Sequence, residues 1–427
     1  MDHSAQTDQA PSPPVEGPLF PTTATVAACA AFVLLGALNA FFGPAIPALR
    51  GRFGLTPADA GLALSMYYVG AVTGVLVAGL VHPRTRNNRL LITSIVVMGV
   101  GSLGFALSAN WSCALAACLL CGFGAGGMDY GLNSLFAIGF GRRSPAMLGI
   151  LNAHYGLGAV CGPLLISLVG VGNYPVAFGL VAGFLGVAAV FLRSVGTPPK
   201  TSAAHADGHG PARATAVLVL VVVFLAFYAL QVTVETGVGA WEPTYLQTRL
   251  GHGAVYAADV TSGFWLMLAV GRLLVGPMTS RWSAPAIVTV SCLGTTGCLA
   301  LAAIPGLAPV AFAGAGLFNA PVFPVALPWL GRAAPGVRWA ATGAILTANI
   351  GGAVAGPLTG LGIERFGIGC VPWLMTAVSA VCLLLVLHLA RATRTTHAVH
   401  AADDVYAAPY PAREDEPLPS CAQASSP

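Results

Sequence analysis

Glu235 is an ionisable group set deep in an apolar run, Phe224-Leu-Ala-Phe-Tyr-Ala-Leu-Gln-Val-Thr-Val-Glu235-Thr-Gly-Val-Gly-Ala-Trp241. A carboxylate at such depth in a bilayer costs about 2.5–3.5 kcal/mol on insertion scales, so an acid there points to a use. A second acid, Asp129, lies in Gly122-Phe-Gly-Ala-Gly-Gly-Met-Asp129-Tyr-Gly-Leu-Asn133. Steps of four, three and four put Gly122, Gly126, Asp129 and Asn133 on one helical stripe, where the glycines allow close packing. A buried carboxyl exchanges protons nearer neutral pH than a solvated one, so both positions are candidates for proton coupling. The competing reading is a structural acid capped by its neighbouring amide.

Other polar groups at similar depth are candidates for recognising a solute: Asn133, Asn152, His154, Tyr155, Gln231, Asn319 and Asn349. Interhelical hydrogen bonding accounts for each of them taken singly just as well. His154 could relay protons, or it could pack on the stripe it shares with Gly158, Cys161 and Gly162. Trp241 and Trp265 could stack on a sugar ring or anchor at the membrane interface. Gly237 and Gly239 suggest a loosened helix beside Glu235, and Glu242 is expected near the outer end of that span as an interfacial charge. Asp259 suits a helix N-terminus.

The chain has no catalytic constellation, no phosphate-cradling Gly-Lys-Ser/Thr loop and no histidines at metal-ligand spacing, so no enzyme, metal site or cofactor is expected. Cys118-Leu-Leu-Cys121 has redox spacing, but on an apolar helix it reads as two small packing residues.

These residues need helices that cross a membrane. The 427 residues are 56% hydrophobic and 8% charged, against about 25% charged in soluble proteins. Apolar stretches of span length fall at roughly 24–49, 60–82, 90–109, 112–140, 146–170, 174–194, 214–248, 257–281, 285–304, 307–331, 338–363 and 369–391. Residues 1–23 lack the basic start of a signal peptide and read, with 393–427, as disordered tails; 195–213 reads as a linker between two bundles, 24–194 and 214–392. With both termini cytoplasmic, 15 of the 19 Lys and Arg fall on the inner side, Arg84, Arg272 and Lys200 among them. Net charge +4 gives no cause to expect nucleic acid as a partner, and a monomer in the cell (inner) membrane is expected.

The two halves repeat. Gly149, Gly158, Gly162 and Pro163 recur as Gly343, Gly352, Gly356 and Pro357, all at an offset of 194. Spans two and eight match at an offset of 197, pairing Ser65, Tyr67, Tyr68, Gly74 and Gly79 with Ser262, Phe264, Trp265, Gly271 and Gly276. An even number of spans per half gives parallel repeats, the plan of two six-helix bundles with a solute site between them at mid-membrane. Pro321 and Pro324 break span ten beside Asn319.

These Gly-Pro pairs with their upstream glycines resemble the span-five motif of the major facilitator superfamily, and the resemblance covers nearly the whole chain. The signature after span two is reduced: Gly79-Leu-Val-His-Pro83-Arg84-Thr-Arg86-Asn-Asn-Arg89 keeps the bases and lacks the acid, as does its second copy from Gly271-Arg272 to Arg281. In the family this motif latches the cytoplasmic gate, which implies gating roles for Arg84 and Arg272 or, with the acid missing, a gate held by other contacts. Gly122-x-Gly124, Asp129, Asn133 and Leu151-Asn152-Ala-His154-Tyr-Gly156 look like the fucose-permease branch, whose members use a span-four acid for proton coupling. The span-one acid of fucose permease falls at Gly43 here, so a two-acid scheme would have to recruit Glu235. The resemblance implies an all-α, twelve-span secondary transporter moving a small polar, sugar-like solute with protons; proton-driven export of a metabolite or drug is the other direction it leaves open.

Overall fold

The computed structural model describes residues 19–196, 211–337 and 339–407, with side chains at 142, 145, 211–216 and 395–407 outside that description. Within it are twelve helices long and apolar enough to cross a membrane: Thr22–Phe53, Pro57–Arg84, Asn87–Ala106, Trp111–Gly139, Ala146–Val169, Val171–Ser194, Val217–Thr248, Ala254–Leu273, Ala284–Leu301, Ala308–Ala333, Ala340–Phe366 and Ile368–Arg394. They are called spans one to twelve below. The linker expected at 195–213 and the tail expected at 1–23 fall mostly outside the described residues, as do Lys200, Arg338 and Arg413.

Local chemistry sets the ends of the spans. Thr56 caps span two by accepting from Asp59 N, with Pro57 in the first turn where its missing N–H is no loss. Asn110 caps span four by accepting from Cys113 N at 2.9 Å. Gly54, at φ 65°, ends span one in the left-handed conformation that favours glycine. Span ten is interrupted as its prolines require: one helix stops at Asn319 and the next starts at Val322. Span seven, in contrast, runs unbroken through Gly237 and Gly239, and the loosening expected there is absent. These glycines make room for neighbours instead, Gly237 for Met375 and Gly239 for Trp265. The last helix continues from Val371 to Ala407, through residues expected to open the C-terminal tail.

Spans one to six and seven to twelve form two bundles. Within the first, span five packs on span one where the Gly158 Cα meets the Val33 backbone, and span four packs on span two where Gly122 and Gly126 meet Tyr67 and Ala71. Because an even number of spans separates them, both chain ends lie on one face, called here the terminal face; the opposite one is the far face. Towards the far face the bundles close on each other. Gly43 of span one meets the Gly239 carbonyl of span seven, and Gly61 of span two lies backbone to backbone against Gly356 of span eleven. Ser65 Oγ donates to Ala353 O at 2.5 Å and Ala58 N to Glu364 Oε1 at 3.0 Å along the same seam. Span five packs on span eight, with Gly156 beside Ala269, but among the described residues no comparable packing joins spans four and five to spans ten and eleven, so those four helices part towards the terminal face.

The repeat is not carried through at the level of single glycines. Gly158 packs inside its own half, but its sequence counterpart Gly352 faces the Tyr68 ring of span two, across the seam. Packing within the second half is done by Gly351, which meets the Ala229 backbone of span seven. The stripe has turned by one residue, which gives span eleven a glycine for each partner.

Candidate solute site and proton path

Glu235 faces the other helices of its bundle. Asn319 Nδ2, at the break in span ten, donates to Glu235 Oε2 at 3.2 Å, and Gln231 Nε2, one turn back, to the same oxygen at 3.4 Å. Arg272 Nη2 of span eight lies 3.5 Å from Oε1, with side-chain exposures of 31% for Arg272 and 15% for Glu235. Charge-assisted hydrogen bonds close to about 2.7–2.9 Å, so this carboxylate is shared among three donors at longer range, and solute hydroxyls could replace some of them. Arg272, the penultimate residue of span eight, thus reaches back along its helix to pair with Glu235.

Next to this cluster a polar bridge crosses between the halves. Asn39 Nδ2 of span one donates to Tyr68 Oη at 3.1 Å, and Tyr68 Oη and Thr236 Oγ1 share a hydrogen bond of 3.2 Å. No sequence motif marked Tyr68 or Thr236 as site residues; only the repeat flagged Tyr68, and the two lie 168 positions apart. Tyr155 of span five is half-buried, with its backbone against Gly36 of span one.

Asp129 begins a second polar row. Asn133 Nδ2 donates to Asp129 Oδ1 at 2.8 Å, and Asn152 Nδ2 to Asn133 Oδ1 at 3.1 Å, which leads from span four to the exposed side of span five. No cation pairs with Asp129 among the described residues. The row runs towards the face on which the bundles have parted.

The remaining candidates lie elsewhere. His154 Nδ1 donates to Ile150 O at 2.7 Å, one turn back on the stripe of Gly158, and takes no part in either polar group. Asn349 Nδ2 donates to Ile345 O of its own helix, at 2.9 Å, on the stripe of Gly352 and Gly356. Trp241 is fully buried and its Nε1 donates to Gly356 O at 3.3 Å, so it offers no ring face to a solute in this conformation. Trp265 is 4% exposed, lies edge-on to Phe264, and its Nε1 has no hydrogen-bond partner. Gly162 and Pro163 are buried against span one, and Pro357 lies on the seam beside Gly61. Arg84 Nη1 donates to Leu80 O at 3.1 Å, within its own helix, and latches nothing across the halves. Glu242 is not the interfacial charge expected: it is 0% exposed.

Residues 28–314 match the family description Major Facilitator Superfamily. The glucose/mannose transporter GlcP of Bacillus subtilis (strain 168) is 25% identical over 275 residues, which is 61% of this chain and 67% of that one. The fold is similar to that of the nucleoside transporter NupG, with a TM-score of 0.72 at 14% identity, covering 86% of this chain and 98% of the other. It is also similar to a D-xylose-proton symporter, with a TM-score of 0.71 at 13% identity over 85% and 96% of the two chains. The chain belongs to the Major Facilitator Superfamily and is a multi-pass membrane transporter, not an enzyme.

Proposed function

We propose that this transporter is a proton-coupled symporter of a small, uncharged, polyhydroxylated solute of the monosaccharide class, working by alternating access. The observation that carries the reading is a polar cluster: a carboxylate, a guanidinium and two carboxamides of the second bundle, next to a tyrosine–threonine hydroxyl pair that joins the two bundles. Hydroxyl-rich solutes need such a mixture of acceptors and donors, and a charged partner roughly doubles the strength of each hydrogen bond. Resemblance to a glucose/mannose transporter supports the same solute class. Glu235, Gln231, Asn319, Tyr68 and Thr236 hold the solute in this reading, and Asp129 with Asn133 and Asn152 carries the proton. With the terminal face cytoplasmic, as the distribution of basic residues supports, the structure is an inward-open form.

Purified protein in vesicles, given an inward proton gradient, is expected to accumulate radiolabelled glucose or xylose and to stop on addition of a protonophore. Accumulation of neither sugar, together with gradient-driven movement of a cationic dye, would turn the reading to drug export. Orientation is tested separately with His205→Cys in a background without reactive native cysteines. A membrane-impermeant thiol reagent is expected to leave it unmodified in intact cells, and modification there would place the terminal face outside.

A further inference from the structure

Glu242 is a buried carboxyl: it is 0% exposed, and among the described residues neither of its oxygens has a hydrogen-bond partner. It lies in the stretch of span seven closed against four other helices towards the far face. Gly239, one turn back, meets Gly43 of span one and Trp265 of span eight. Trp241 Nε1 bonds to Gly356 O of span eleven, and the Tyr245 ring stands edge-on to Phe312 of span ten. The polar side chain beside the carboxyl is Thr261, one turn before Trp265 on span eight. Its hydroxyl donates to Ala257 O at 3.0 Å, so it has lone pairs to offer and no proton.

The titratable groups of the surrounding helices are engaged or exposed elsewhere. On span one, Arg50 Nε donates to Leu55 O and Arg52 to Tyr174 Oη and Ser108 O. Tyr256 and Asp259 of span eight, Arg249 and His252 after span seven, and Arg365 of span eleven are exposed, while Glu364 accepts from Ala58 N. On spans nine and twelve the titratable groups near this end are the thiols of Cys298 and Cys370, which lie beside Gly314 and Gly362 of other helices. Tyr245 donates to Ala302 O. Among the described residues no cation stands within ion-pair distance of Glu242.

An ionised carboxylate cannot persist in such a place, because burying an unpaired charge is far more costly than neutralising it. A neutral carboxyl can, since without the charge the cost of burial falls to that of a polar group. We propose that Glu242 is a proton-carrying site reached from the far face, distinct from the Asp129 row that opens on the terminal face. The inference rests on the alternating-access reading above. When spans one and seven part at Gly43 and Gly239, water reaches the carboxyl. The acid O–H then breaks, its proton passes to water and its electron pair stays on the carboxylate oxygen; reclosure requires the proton back. The far-face seal thus forms only over a loaded Glu242, which ties closure on that side to proton uptake from it.

Infrared difference spectroscopy of the full-length protein in phosphatidylethanolamine–phosphatidylglycerol vesicles tests this through the C=O stretch of a protonated carboxyl. The band is read without solute, so it passes or fails whether or not the chain moves a sugar. The wild type is expected to show at neutral pH a band that Glu242→Gln removes; Glu242→Asp, which shifts the band, makes the same assignment if the amide variant does not fold. Gly61→Trp props spans two and eleven apart at their far-face ends, since even a Cβ at Gly61 would fall on the Gly356 backbone. In that variant the Glu242 band is expected to lose most of its intensity as pH rises and to recover on acidification. Absence of the band in the wild type, or a band in Gly61→Trp that ignores pH, would overturn the proposal.

Discussion

In the first half Asp129 receives one amide from its own helix and, among the described residues, has no counter-cation, whereas in the second half Glu235 gathers amides from two helices and a guanidinium from a third. The helices that carry them are not counterparts in the repeat: Asp129 is on span four and Glu235 on span seven. The duplicated glycine framework therefore fixes how helices approach and leaves the polar positions free to diverge. Among the described residues Asp129 stands outside any ion pair, whereas Glu235 shares one with Arg272. In the proposed reading that difference assigns coupling to the first acid and the solute to the second.

The largest effect that would sharpen the contrast is expected from Glu235→Gln. Hydrogen bonds to a charged group contribute about 1.5–3 kcal/mol each, so solute affinity should fall by about ten- to a hundredfold. Asp129→Asn should leave that affinity within about twofold, a difference of less than about 0.5 kcal/mol. Isothermal titration with glucose reads both, and equal losses in the two variants would erase the division of labour. Adding Arg272→Gln to Glu235→Gln should cost less than the two single losses combined, because the guanidinium is already unpaired in the first variant.

The glycine stripes give the next test. Gly352→Leu must displace the Tyr68 ring at the seam, and overpacking of this kind costs about 1–3 kcal/mol. It should slow transport while expression stays normal. Gly158→Leu should instead lower the yield of folded protein, because Val33 backbone inside one bundle cannot move aside. Fluorescence-detected gel filtration beside a transport assay separates the two, and a Gly352→Leu protein at wild-type rate would show that the seam does not limit the cycle. A smaller effect is expected from Thr236→Val. Losing one neutral hydrogen bond of about 0.5–1.5 kcal/mol should weaken solute binding by about two- to tenfold.

Much of the fold could be read from the chain. The twelve spans follow from apolar length, and the break beside Asn319 follows from Pro321 and the adjacent Pro324. That Asp129 and Glu235 fall inside spans was legible for the same reason, since a charge in a long apolar run has few other places to be. What was not legible is the facing of each side chain. A helix apolar all round has no stripe to say which side meets lipid, so Glu242 read as an interfacial charge when it is buried. Arg272 read as a loop base because its place near the end of span eight hides that its side chain reaches back to Glu235. The exchange of Gly352 for Gly351 turns on a rotation of about 100° per residue, finer than any spacing rule resolves. The Tyr68–Thr236 bridge joins two halves that local pattern treats separately.

Separation of proton coupling from solute binding is tested most directly with Asp129→Asn in vesicles, measuring glucose counterflow and pH-gradient-driven glucose accumulation on the same preparation. Counterflow near the wild-type rate with accumulation abolished is the predicted result. Accumulation equal to that of the wild type would contradict it and remove Asp129 from the proton path.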